Sequence, residues 1–121
     1  MSKVYVVQEP MMIRHGRPAL RYSLDPAKVF GEIIFLLDWS DTKGLGVEKD
    51  KPLEILDKLW HRLKDYQNGD YMLMTGNWTA MALAVHVALE VNDGQVTCLQ
   101  WDSADSEYRV IELDTGTREE T

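Results

Sequence analysis

The sequence predicts an α/β domain in two or three layers, with a mostly parallel five-stranded sheet, two main helices and a C-terminal antiparallel hairpin. An apolar strand at 71–75 leads through Gly76 into an almost wholly apolar helix, and such a helix has to be buried. A second, amphipathic helix precedes that strand, so strands and helices alternate along the chain. This alternation gives a Rossmann-like chain order β-β-α-β-α-β-β and favours parallel strands joined by helical crossovers.

Five runs rich in β-branched and aromatic residues are the predicted strands. They cover residues 3–8, 32–38, 71–75, 95–101 and 107–113. The run at 32–38 contains five consecutive apolar residues, which predicts burial on both faces. Only a short turn separates the last two runs, so they should form an antiparallel hairpin at an edge of the sheet.

A loop is predicted over residues 11–24, with a short extended piece near 19–22, because a glycine and a proline interrupt any periodicity. One helical turn should follow at 25–31, with Asp25 as its N-cap and Gly31 as its end.

Two long helices are predicted on the C-terminal side of this turn. The first covers residues 51–66, and Asp50 is its expected N-cap. The second begins after Asn77, a good N-cap residue, and ends at 92–94, where Asn-Asp-Gly can adopt positive φ. The apolar stripe of the first helix is expected to comprise Leu53, Leu56, Trp60 and Leu63, widened by Ile55 and Leu59.

Chain length and composition predict one domain, residues 1–114, followed by a flexible polar tail at 115–121. The single cysteine, Cys98, lies in a strand-like run and is interpreted as a small buried hydrophobe. The N-terminus lacks the pattern of a signal peptide, and the longest apolar run is too short to span a bilayer. We therefore expect a soluble intracellular protein without a membrane contact.

The formal net charge is −7 and is unevenly distributed. Residues 1–60 carry nine basic and nine acidic side chains, whereas residues 61–121 carry four basic and eleven acidic ones. Such an acidic chain repels phosphates, so nucleic acid is not an expected partner. Arg14 and Arg17 lie in a stretch without acids. They could belong to a solvated loop, or they could pair with carboxylates of a partner or of the acidic second half of the chain.

Ligands of open α/β sheets gather at the carboxyl ends of the parallel strands. That edge should carry Asp38, the turn Thr75-Gly76-Asn77, and Asp102. The turn at a helix N-terminus could bind a phosphate or carboxylate through its N–H groups, or it could be ordinary turn chemistry. The two aspartates could hold a hard cation, although acids at strand ends are common without one. Because no ligand spacing or nucleotide motif is present, we expect neither a metal nor a cofactor.

Two tryptophans, Trp39 and Trp78, also fall at this predicted edge. They could close the top of the sheet, or they could be exposed anchors for a protein partner, since tryptophan is enriched in interface hot spots.

Several segments resemble a family of small uncharacterised bacteriophage proteins. They are Val4-Tyr-Val-Val-Gln-Glu-Pro10, the stretch from Asp70 to Ala84, Asn92-Asp-Gly-Gln-Val96, and Leu99-Gln-Trp-Asp102 followed after five residues by Tyr108. The resemblance implies a phage gene product acting in the host cytoplasm, and it brings no activity with it. This chain has Gly76-Asn77-Trp78 where the family usually has Gly-Asp-Pro.

The expectation is therefore a non-enzymatic cytoplasmic phage protein that binds and modulates a host or defence protein, through its acidic second half or through the edge that carries Trp39 and Trp78. The alternative is a module that binds a nucleotide or another anion at 75–78. An enzyme using Asp38 or Asp102 as a general base is less favoured, because no base and nucleophile pair is recognisable. The edge of the C-terminal hairpin could also pair with a second copy.

Overall fold

The computed structural model describes residues 1–21 and 23–116. Within them the chain forms seven strands, two α-helices and one 3-10 helix. The strands are β1 (Lys3–Gln8), β2 (Met11–Arg14), β3 (Arg17–Leu20), β4 (Glu32–Leu37), β5 (Tyr71–Leu73), β6 (Gln95–Asp102) and β7 (Glu107–Asp114). The helices are the 3-10 helix Asp25–Val29, α1 (Lys51–Leu63) and α2 (Trp78–Val91).

Five strands form the main sheet in the order β4-β1-β5-β6-β7. The first four are parallel, and β7 is antiparallel to β6, which confirms a mostly parallel five-stranded sheet with an antiparallel C-terminal pair. Numbered along the chain, the order of these strands is 2-1-3-4-5, so the direction of winding reverses between β1 and β5. The more specific Rossmann-like order is not confirmed.

Both α-helices cover the same face of the sheet. Ile55 and Leu59 of α1 and Ala84 of α2 are buried in one cluster with Tyr5 and Met72 from the strands. On the opposite face, other residues of the same strands are buried against the segment around the 3-10 helix, namely Val4, Val6, Leu73 and Leu99 with Leu24 and Ala27. The domain therefore has one complete helical layer, and a single short helical turn lies on the other face.

The predicted loop at 11–24 is wrong over residues 11–20, where β2 and β3 form an antiparallel hairpin. Its turn is made by His15 and Gly16, whose φ angles of 52° and 74° suit a two-residue hairpin turn. The extended piece expected at 19–22 corresponds to the end of β3, and Tyr22 lies outside the described residues. We call this hairpin, residues 11–20, the arm.

The predicted core stripe of α1 is shifted in the structure. Ile55, Leu59 and Leu63 are buried, whereas Leu53 is 67% and Trp60 40% exposed. Leu53 and Trp60, which helical periodicity assigned to the apolar stripe, therefore lie outside the buried contact with the sheet. The helix ends at Leu63 and not at residue 66.

Of the two N-caps predicted at aspartates, one is confirmed in position and one is wrong. Asp50 is the N-cap residue of α1, but its side chain makes no cap hydrogen bond. Asp25 lies inside the 3-10 helix, whose N-cap is Leu24. Gly31 does follow this turn, and a Cβ there would lie 2.3 Å from the carbonyl oxygen of Ser2, so only glycine fits.

Burial of the second predicted strand on both faces is wrong for Phe35, which is partly exposed because β4 is an edge of the sheet. Cys98 is buried as predicted, and burial raises the pKa of its thiol. At the C-terminus Thr115 is held by bonds of its N–H and hydroxyl to the Gly94 carbonyl, while residues 117–121 of the predicted tail lie outside the described residues. No helix within the described ranges is long and apolar enough to cross a membrane.

Candidate functional site

A groove of about 310 Å³ lies where β1, β4 and β5 end, at the reversal of the strand order. This is the position at which sheets of this class hold ligands. The groove is lined by Gln8, Glu9, Pro10, Met11, Arg21, Trp39, Thr42, Thr75 and Gly76.

Gln8, the last residue of β1, occupies the centre of this site. Its side-chain oxygen accepts a hydrogen bond from the backbone N–H of Asn77, with a nitrogen to oxygen distance of 2.7 Å. Its side-chain nitrogen donates to the hydroxyl of Thr42 at 2.8 Å and to the carbonyls of Asp38 and Trp39 at 3.2 and 3.4 Å. One buried amide thus joins β1 to the loop after β4 and to the start of α2.

Gly76 allows the side chain of Gln8 to lie close to the backbone before α2. Its φ is +102°, a conformation that residues with a side chain rarely adopt. A Cβ at this position would lie 2.5 Å from both the Cβ and the side-chain oxygen of Gln8. From the sequence, the turn at Gly76 could have bound a phosphate or could have been ordinary turn chemistry. In the structure the space that this glycine leaves is occupied by the Gln8 side chain.

Asn77 is the N-cap of α2, as predicted. Its side-chain oxygen accepts from the N–H groups of Thr79 and Ala80 at 2.9 and 3.1 Å. Together with the bond from Asn77 to Gln8, three N–H groups at this helix start have partners within the chain. A bound anion would need to displace Gln8 or compete with the cap.

The structure does not bring Asp38 and Asp102 together. Asp38 follows β4 and Asp102 is the last residue of β6, and these two strands are three strand spacings apart, or about 14 Å. The hydroxyl of Ser40 donates to Asp38 at 2.6 Å and lowers the pKa of this carboxyl group. A bond from Arg109 at 2.9 Å likewise lowers the pKa of Asp102. Each carboxylate is thus held within its own turn and is a weaker base than a free one.

In the described ranges 1–21 and 23–116, no three His, Cys, Asp or Glu side chains are grouped so that they could hold a metal ion.

The two predicted anchors lie at the groove end of the molecule. Trp78 is the first residue of α2 and is 85% exposed, and Trp39 lines the groove and is 45% exposed. The arm extends from the same end, because it begins three residues after Gln8, and its Arg14 and Arg17 are exposed. We call the surface formed by the groove, the two tryptophans and the arm the rim.

Gln8 and Arg21 line the groove, although neither was predicted from the sequence as a residue of this site. The available signal for Gln8 was its position as a polar residue at the end of an otherwise apolar strand. A polar side chain that is buried at such a position requires hydrogen-bond partners.

The chain was compared with known protein families, and residues 2–115 match the family described as Phage Pam3 gp32-like protein. The chain belongs to this family. The expected relationship to small bacteriophage proteins is thereby confirmed at the level of the family. Comparisons with curated proteins and with solved structures gave no match.

Proposed function

We propose that this Pam3 gp32-like protein is a non-enzymatic phage protein that acts in the host cytoplasm by binding a host or defence protein through the rim. The observation that carries the proposal is the exposure of Trp78 and Trp39 at the end of the molecule from which the basic arm extends. Tryptophan and arginine are the residue types that contribute most to protein interfaces. Exposed tryptophan at the same end of the molecule as exposed arginine is therefore typical of a surface that binds another protein.

The expected partner surface is acidic. The stretch from residue 10 to residue 24 contains Arg14, Arg17 and Arg21 and no acid, although the chain as a whole has a net charge of −7. A basic patch on an acidic protein steers association toward complementary acidic surfaces and repels basic ones.

The proposal of a role without catalysis is supported by the two strand-end carboxylates. Asp38 and Asp102 have lowered pKa values and are bound to donors of their own turns. A general base works best with a pKa near the operating pH, and both groups are shifted away from it.

Capture from host lysate tests the function. The baits are the wild type, the double variant Trp39→Ala/Trp78→Ala and the control Val29→Ala. The control removes an exposed apolar side chain beside the starts of β1 and β4, at the opposite end of these strands from the rim. We expect a host protein that is retained by the wild type and the control but lost by the double variant. Titration of the purified protein should then show at least a tenfold weaker affinity for the double variant. Equal retention by all three baits would contradict the proposal.

A second candidate function is the binding of a nucleotide or another small anion at 75–78. It is favoured by the groove of about 310 Å³ beside the start of α2, with Arg21 in its lining. Thermal shift against a nucleotide panel tests it, because a ligand at 100 times its Kd adds about 2.7 kcal/mol of stability. Unchanged melting across the panel would exclude this candidate for the ligands tested.

A further inference from the structure

β7 is an open edge strand of eight residues, and within the described chain it pairs only with β6. The edge is acidic. Arg109 is the only basic residue between 95 and 114, and it is already bound by three acids of its own hairpin, namely Asp102, Asp105 and Glu107. Glu112 and Asp114 therefore have no base on the hairpin, and two such edges would repel one another.

The arm provides an open edge of opposite charge. Because its turn has two residues, Arg14 and Arg17 form the pair that exchanges backbone hydrogen bonds, and the next pair, Ile13 and Pro18, directs its backbone outward. Proline has no N–H to donate, so the β3 edge is blocked at this point. The β2 edge remains available, with Ile13 exposed on it.

We infer that β2 of one copy adds to the open edge of β7 of a second copy of this chain. The contact would bring Arg14 and Arg17 close to Glu112 and Asp114 on one face of the paired strands. On the other face it would bring together the exposed Ile13 and Ile111. A two-stranded hairpin is marginally stable in water, and pairing with a further strand stabilises it.

A second copy is the favoured occupant because each chain carries both complementary edges. The contact joins two different surfaces, so it closes as a reciprocal pair or continues as a chain of molecules. It differs from the expected pairing of two identical hairpin edges. Since the arm also belongs to the rim, a second copy competes with the proposed partner, but self-association does not require that partner to exist.

The experiment is sedimentation velocity on the full chain in 50 mM and 500 mM salt over a range of concentrations. We compare the wild type with Arg14→Glu/Arg17→Glu, with Glu112→Lys/Asp114→Lys, and with a control, Lys49→Glu/Lys64→Glu, that reverses two exposed charges elsewhere. Circular dichroism checks that every variant is folded.

The wild type and the control should associate in 50 mM salt, and 500 mM salt should weaken the association at least tenfold. Each of the other two variants should remain monomeric alone. Their mixture should associate again, because each acidic arm then meets a basic edge and each basic arm an acidic one. A monomeric wild type, or variants that associate as the wild type does, would overturn the inference. A mixture that stays monomeric would do so as well.

Discussion

Replacement of Gln8 by alanine tests whether this side chain holds the rim together. The substitution removes the acceptor of the Asn77 N–H, and a hydrogen bond of this kind contributes about 0.5–1.5 kcal/mol net. It also removes the bond to Thr42, whose net contribution is about 1 kcal/mol. Water entering the open groove can replace the two weaker bonds to the carbonyls of Asp38 and Trp39. We therefore expect a loss of about 1.5–2.5 kcal/mol.

Urea unfolding followed by tryptophan fluorescence measures this loss. The matched control is Gln67→Ala, which truncates an exposed glutamine in the turn before β5 and should change the free energy of unfolding by less than about 0.5 kcal/mol. The Gln8→Ala variant should also capture less of the host protein. Without the Gln8 amide, no side chain that the structure describes in β1 joins the loop of Trp39 to the start of α2. If Gln8→Ala unfolds at the same urea concentration as Gln67→Ala, Gln8 does not organise the rim.

Three further perturbations test the same region and the core. Gly76→Ala should lower the free energy of unfolding by at least about 2 kcal/mol more than Gly46→Ala does, because both glycines have positive φ but only Gly76 would place a Cβ against Gln8. Thermal melts compare the two variants, and equal losses of stability would count against the packing described. Asn77→Ala should cost about 0.5–2 kcal/mol through loss of the α2 cap, and unchanged chemical denaturation would show that the cap is dispensable. Burial raises the pKa of Tyr66 from 10.0 to about 12, so the stability it contributes is complete below pH 10 and lost as the pH rises through about 12. Tyr66→Phe should remove that loss in alkaline unfolding curves, and the same pH dependence in both proteins would refute the assignment.

The order and type of the main elements could be predicted because strands and helices differ in apolar periodicity and in their capping residues. The Asn77 cap and the end of α2 just before Asn92-Asp93-Gly94 follow from local chemistry; α2 ends at Val91, and Asp93 and Gly94 have positive φ. The arm could not be recognised, because Pro18 disfavours a strand in sequence terms. In the structure Pro18 stands at a pair whose backbone points outward, where a missing N–H costs the hairpin nothing.

The position of each strand in the sheet could not be predicted from local pattern. The apolar run of β4 has the appearance of a central strand, yet β4 is an edge, because after β4 the chain crosses back over β1 through α1 and adds β5 on the other side. For the same reason, Asp38 and Asp102 end strands that are separated by two others. The role of Gln8 depends on three segments distant in sequence, and only their packing places its amide between Thr42 and Asn77.

Hydrogen–deuterium exchange of the chain, alone and with its captured host protein, maps the contact directly. Binding at the rim should slow the exchange of backbone amides at 10–21, 38–42 and 75–80, and should leave α1 and the strands at 95–114 unchanged apart from effects of self-association seen without the partner. Protection confined to α1 or to 95–114 would show that the partner binds elsewhere and would contradict the rim as the functional surface.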